Sequence, residues 1–353
     1  MERTSPNTAA DFAFLFPDYR PTALLELRRL AETARVGRVL AKLESQRPFG
    51  NFKVLGGMIA GLRALARASG ASSLQDLLAD GARRTGLPRL LCASDGNHGL
   101  SVALAAQRAG AQARIYLPAS VGPVRVQRIA DRGAQVVIVD GSYDAAVDAA
   151  AAAATSGDGL LIADTDDNPD DPVVADVMAG YGLIADELGV QLRELGVRPG
   201  HAFIQAGVGG LAAAMADGLR EHMAASSRLI VVEPESAASV ARALETGQPT
   251  MIDGDLHTVA EMLACGLASA AALPALRRAG AKAVAVDESG LAEAVYLLRE
   301  AGGPESTPSG ATGLAGLLRV AGDPALARVH GLDATSEVLL IVTEAAPTAA
   351  ITR

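Results

Sequence analysis

Tryptophan is absent from this chain, and aromatic residues make up only 3% of its 353 positions. A core with so few large rings has to be assembled from alanine, valine and leucine, a composition that suits buried parallel strands flanked by helices. There are two cysteines, Cys92 and Cys265, each in an apolar run and neither in a CxxC or metal-like cluster. That spacing excludes a disulfide scaffold and a cysteine metal site, and predicts buried reduced thiols in a cytoplasmic protein. No basic cluster interleaved with aromatics occurs and the net charge is −9, so nucleic acid and anionic membrane are excluded as expected partners. No apolar run is long enough to cross a bilayer. The alanine tract around Ala149–Ala154 is short, carries Asp144 and Asp148, and reads as a helix. The opening MERTSPNTAADFAFLFPDYR lacks a basic start followed by an apolar run, so no secretory signal is read.

What the chain does have is a regular alternation of short apolar runs and helical stretches. Leu24 to Val36 has helical spacing, Arg38 to Glu44 reads as a strand, and Val54 to Ala66 as an apolar helix. Runs at 89–94, 113–118, 135–140 and 160–164 read as buried parallel strands separated by crossover helices. A second series follows at 202–206, 228–233, 282–287 and 337–343. The acidic segment DTDDNPDDP (164–172) divides the two series and reads as a hinge. Counted as a calcium loop from Asp164 it fails, because Pro169 takes the invariant glycine position and Ala175 the bidentate glutamate position. The expected architecture is α/β: two three-layer α/β/α units with mostly parallel sheets.

Three local patterns carry chemistry. The first is Phe49-Gly-Asn-Phe-Lys-Val-Leu-Gly-Gly57, where Lys53 is the lone cation in an apolar, glycine-flanked helix start. A desolvated lysine amine is what a Schiff base needs, and the alternative is a helix-start lysine with its head in water. The second is Ala93-Ser-Asp-Gly-Asn-His-Gly99, at a strand end before an alanine-rich helix, where open α/β sheets bind ligands. The same loop also suits plain helix capping, and His98 reads as a packing residue. The third is Gln205-Ala-Gly-Val-Gly-Gly-Leu-Ala212, again between strand and helix, which makes a phosphate cradle. Its glycine spacing also meets the dinucleotide pattern, with Glu233 at the end of the next strand as the ribose-binding acid. A nicotinamide-dependent dehydrogenase would leave Lys53 and SDGNHG unexplained.

Together and in this order, the three loops resemble the tryptophan-synthase-like, fold type II family of pyridoxal-phosphate enzymes, over roughly residues 17–345. The resemblance implies pyridoxal 5'-phosphate as cofactor. It implies a large cofactor domain (1–62 and 173–353), a small domain (63–172) and a homodimer. By motif, Lys53 resembles the Schiff-base lysine, Asn97 the partner of the cofactor ring hydroxyl, and Gly207, Val208, Gly209, Gly210 and Leu211 the phosphate loop. Leu340-Ile-Val-Thr-Glu344 resembles the segment whose hydroxyl faces the pyridine nitrogen, which makes Thr343 that residue. A neutral ring nitrogen there favours elimination over transamination.

Within the family, FPDYRPTALLEL, GNFKVLGG, SDGNHG, ADTD, QAGVGG and VTEA are most similar to the diaminopropionate ammonia-lyase branch. Asp95 in SDGNHG is the discriminating residue, and Asp164 in ADTD resembles the second catalytic aspartate. The branch implies α,β-elimination from a small amino acid, with Asp95 acting on the D isomer and Asp164 on the L isomer. A β-replacement synthase or hydroxyamino-acid dehydratase on the same scaffold is the alternative. The chain departs from the branch where GNFK shortens the approach to the lysine, where ADT stands for QDT, where the aromatics expected after it are missing, and at Leu267. Thr307 stands where related dehydratases carry glutamate.

Overall fold

The computed structural model describes residues 8–79, 86–94, 96–141 and 143–347. Asp95 therefore lies outside the described residues. The strands are β1 (Leu24–Glu26), β2 (Arg38–Leu43), β3 (Leu90–Ala93), β4 (Ala113–Pro118), β5 (Gln135–Val139), β6 (Leu160–Leu161), β7 (His201–Gln205), β8 (Arg228–Pro234), β9 (Lys282–Val286) and β10 (Glu337–Val342). By contact density the chain divides into two compact units. The first takes in 1–20, 53–166 and 170–183, and the second 21–52, 167–169 and 184–353.

The first unit holds a four-stranded sheet in the order β5-β4-β3-β6, with every pairing parallel. Its strand β3 is buried along its whole length, as expected of a run covered on both faces. Leu91, Ala93 and Tyr116 pack there against Ala146 and Ala150 of the alanine-rich helix Tyr143–Thr155. Small side chains let that helix lie close to the sheet, so the scarcity of aromatics is met by close approach. The run at 160–164 was expected to be a longer strand, yet β6 has two residues. Its ladder ends where the Ile162 carbonyl turns to the buried His98 ring, 2.9 Å away.

The second unit holds a six-stranded sheet in the order β1-β2-β10-β7-β8-β9. All its pairings are parallel except β1 with β2. The helical reading of Leu24–Val36 is corrected here. Leu24, Leu25 and Glu26 pair with Lys42, Ala41 and Leu40, and the helix covers only Arg28–Ala34. The pairing offered by β2 wins over a spacing that fits either element. Val39, Phe203, Ile230, Val232, Leu314 and Val338 form the centre of this core.

One buried charge cluster ties the start of the unit to its later part. The Lys42 ammonium donates to Thr22 O (2.8 Å), Glu187 Oε2 (2.6 Å) and Gln191 Oε1 (2.9 Å). Arg47 forks onto both Glu44 (2.8 and 2.9 Å) and Glu187 (2.8 Å twice). Two cations face two carboxylates, and each charge is hydrogen-bonded, which is the condition for burying charge at all. No helix among the described residues is long and apolar enough to cross a membrane.

Candidate active site

Lys53 is the first residue of the helix Lys53–Ser69, longer at both ends than its apolar run suggested. Its approach is a tight turn in which Phe49 and Gly50 both have positive φ, 66° and 74°. Phe49 is strained there, since left-handed backbone disfavours a residue with a Cβ. Phe52, just before the lysine, donates its N–H to the Thr343 carbonyl (3.1 Å). Lys53 itself is half-buried and pairs with the carboxylate of Asp164, which is buried and follows β6. Burial pushes the Asp164 carboxyl up. The charge and hydrogen bond of Lys53, together with His98, overcome this and hold it well below the usual carboxylate range.

The two glycines after Lys53 are there because side chains of the same unit occupy the space a Cβ would need. At Gly56 a Cβ would lie 2.5 Å from Cε1 and 2.8 Å from Cζ of Tyr181, on the helix Pro172–Leu195. At Gly57 it would lie 2.8 Å from Ser101 Cβ and 3.1 Å from His98 Nδ1. His98 is buried, and because a carbonyl can only accept, its Nε2 carries the proton given to Ile162 O. Burial lowers its pKa, so it is neutral and acts as a packing residue that tethers the chain two positions before Asp164. In the SDGNHG loop, Ser94 Oγ accepts from Gly96 N (2.9 Å) and Gly99 N (2.8 Å), and Asn97 opens the helix Asn97–Ala109. Cys92 is a buried thiol raised by desolvation, whereas Cys265, expected to be buried, is only half-buried.

In the second unit, the glycine loop leads from β7 into the helix Gly210–Gly218. Gly209 has φ +97°, a conformation that excludes most other residues. At Gly207 a Cβ would lie 3.0 Å from Cys265 Sγ. The first intrahelical bond runs from Ala213 N to Gly209 O, so the N–H groups of Gly210, Leu211 and Ala212 come before any helical partner. Gly207 and Val208 are half-buried, which leaves the loop open on one side to an anion. Thr343 is buried at the end of β10, and its Oγ1 accepts from Gln205 Nε2 (2.9 Å). The Thr343 hydroxyl proton is not spent in that bond.

Glu233 does not stand as a ribose-binding acid. Its two carboxylate oxygens accept from Val240 N and Ala241 N, both at 2.8 Å, at the start of the helix Ser239–Thr246. Burial pushes its pKa up to about 8. Thr307 likewise caps the helix Pro308–Ala321, accepting from Gly310 N, and donates to Glu344.

The Lys53–Asp164 pair of the first unit and the open glycine cradle of the second are each features that an enzyme built around a phosphorylated carbonyl cofactor uses. The chain belongs to the family of pyridoxal-phosphate dependent enzymes, whose sequence pattern matches residues 15–344. The diaminopropionate ammonia-lyase of Escherichia coli strain K12 is 32% identical over 359 aligned residues, spanning 98% of this chain and 89% of that one. A crystal structure of the Escherichia coli diaminopropionate ammonia lyase, in complex with an aminoacrylate-PLP azomethine reaction intermediate, matches with a TM-score of 0.82 and 31% identity. It covers 96% of this chain and 88% of that one. The same lyase in complex with D-serine matches with a TM-score of 0.84, 31% identity and the same coverage. The fold is type II and the cofactor is pyridoxal 5'-phosphate. The N–H groups without helical partners and the half-buried Gly207 and Val208 of the cradle fit its phosphate.

Proposed function

We propose that the protein is a pyridoxal-phosphate-dependent ammonia-lyase that eliminates the β-amino group of 2,3-diaminopropionate as ammonia, the released aminoacrylate then taking up water to give pyruvate and a second ammonia. The observation that carries this reading is the Lys53–Asp164 pair. Asp164 is a desolvated carboxylate kept weakly basic by the ammonium beside it. When the Lys53 nitrogen gives up that charge, the largest downward pull on Asp164 goes while burial still pushes upward, and its basicity rises. A base that strengthens when the lysine is engaged suits removal of a substrate α proton.

In this reading Lys53 holds the cofactor through Nζ, Asn97 meets its ring hydroxyl, Gly207, Val208, Gly209, Gly210 and Leu211 hold its phosphate, and Thr343 donates to its ring nitrogen. When bound, the cofactor supplies an electron sink next to the substrate α carbon. Asp164 takes the α proton of the L isomer and Asp95 that of the D isomer. A carboxyl that has gained a proton can then give one to the leaving β-amino group, which is a poor leaving group unless protonated. The D-serine complex of the Escherichia coli lyase supports a place for D substrates. A homodimer in the cytoplasm completes the reading, on the strength of the family resemblance.

The test is pyruvate and ammonia release from D- and L-2,3-diaminopropionate, run beside D- and L-serine. Release from both diaminopropionate isomers at rates well above serine is expected. Turnover of serine or threonine alone would replace this reading with a hydroxyamino-acid dehydratase.

A further inference from the structure

We infer that Tyr181 is a further residue of the reaction, a hydroxyl partner that serves the Lys53 nitrogen in both of its protonation states. The inference rests on Lys53 being the cofactor lysine. Its starting point is the close crossing of two helices in the first unit. At Gly180 a Cβ would lie 2.7 Å from the Cα of Gly56, so the Tyr181 helix and the Lys53 helix meet nearly backbone to backbone there. The next residue, Tyr181, lays the hydroxyl-bearing end of its ring where the Gly56 side chain would be. Side chains on a helix tilt toward its N-terminus, so the patch over Gly56 adjoins the residue one turn earlier, Lys53. Tyr181 is buried.

The groups acting on this hydroxyl are Lys53 on the facing helix, Asp164 after β6 and Cys92 in β3. Burial pushes the phenol up to about 12, while the Lys53 charge and its hydrogen bond pull the other way. The hydroxyl therefore keeps its proton at neutral pH. A carboxylate such as Asp164 can only accept, so it serves Lys53 best as an ammonium and cannot donate to the lone pair of the neutral amine. A phenol can do both. It accepts from the ammonium, and it donates to the lone pair of the amine that must be present before the lysine can attack a carbonyl. Of these two partners, Tyr181 is the one that stabilises the reactive form.

The measurement is cofactor uptake by enzyme stripped of it. The rate at which the visible band of bound pyridoxal 5'-phosphate appears is followed against pH, with no substrate present. Removing the hydroxyl takes one acceptor from the ammonium, which keeps the Asp164 carboxylate, and takes from the amine lone pair the one donor among these two partners, so the amine loses more. In Tyr181→Phe the midpoint of the rate profile should therefore move alkaline by about one pH unit, the equivalent of one ordinary hydrogen bond. Uptake near neutrality should then be roughly tenfold slower. Gly56→Ala, which displaces the ring while keeping it, should move the midpoint the same way. Fluorotyrosine at position 181 keeps the shape with a more acidic hydroxyl, and should move it toward acid. An unchanged midpoint in Tyr181→Phe, or in the fluorotyrosine protein if the phenylalanine variant does not fold, overturns the inference. Covalent uptake by Lys53→Ala would instead overturn the assignment of Lys53, a separate outcome.

Discussion

Two lysines of this chain are withdrawn from water, and they live by opposite rules. Lys42 is fully buried, with 0% of its side chain exposed, and three oxygens within 2.9 Å surround its ammonium. Lys53 keeps 23% exposed, and its neighbours are a carboxylate and a phenol. Burial lowers the Lys42 pKa against the opposing charge of Glu187, so by depth alone Lys42 is the better candidate for a reactive amine. The surroundings reverse that order. A lysine enclosed by acceptors is fixed as an ammonium, whereas a lysine with one open side and a partner able to donate can lose its proton and meet a ligand. Burial prepares a lysine for chemistry only where the packing leaves a way in.

The strongest way to break this contrast is to remove each amine. Lys53→Ala should abolish cofactor capture and turnover with the fold intact by circular dichroism. Lys42→Ala should leave the cofactor on Lys53 but destabilise the protein by about 3–5 kcal/mol in denaturant titration, because Glu187 and Arg47 lose a balanced partner. Borohydride-fixed peptide mapping that put the cofactor on Lys42 would invert the comparison. The partners come next. Asp164→Asn should retain the cofactor absorbance and lower turnover of the L isomer by about 10²–10⁴-fold. Glu187→Gln should cost stability and leave turnover per folded molecule unchanged.

A smaller effect is expected where no charge is touched. Gly209→Val forces a β-branched residue into φ +97°, at about 1–3 kcal/mol of strain. Cofactor affinity measured by equilibrium dialysis should fall by one to two powers of ten, and unaltered occupancy would remove the loop from the site. The smallest effect belongs to Glu233, a buried carboxyl whose partners are backbone N–H groups. Its folded-state pKa, about 8, lies above the ordinary 4.5, so its contribution to stability is present in full below pH 4.5 and lost as pH rises through 8. The thermal midpoint should drop by a few degrees between pH 7 and 9, and Glu233→Gln should flatten that drop.

Most strands could be read from the sequence because parallel buried strands are continuous apolar runs. The reading of 113–118 coincides with β4 residue for residue. What could not be read depended on partners far along the chain. Leu24–Glu26 fits a helix by spacing and becomes a strand because β2 offers it a ladder. β6 stops early because a histidine from the Asn97 helix takes its next carbonyl. At the site, Lys53 and the glycine loop were legible because backbone freedom and chemistry fall within a few adjacent residues. Glu233 fits the ribose acid of a dinucleotide site by spacing alone, and only the fold shows its carboxyl taken up by Val240 and Ala241. Tyr181, one of only five tyrosines in the chain, stands in no recognisable motif. Its meaning lies in a contact with Gly56, and no local pattern carries that.

The same contact constrains how this sequence can change over time. Gly56 and Tyr181 share a single volume, so neither position drifts alone. A methyl group at 56 displaces the ring at 181 unless that ring has first shrunk, and a smaller residue at 181 leaves a void that a side chain at 56 can fill. Relatives should therefore divide into two populations, glycine with an aromatic ring or a side chain with a small residue, and intermediates should be rare. If the hydroxyl at 181 matters to the lysine, crossing between those populations changes the reaction as well as the packing.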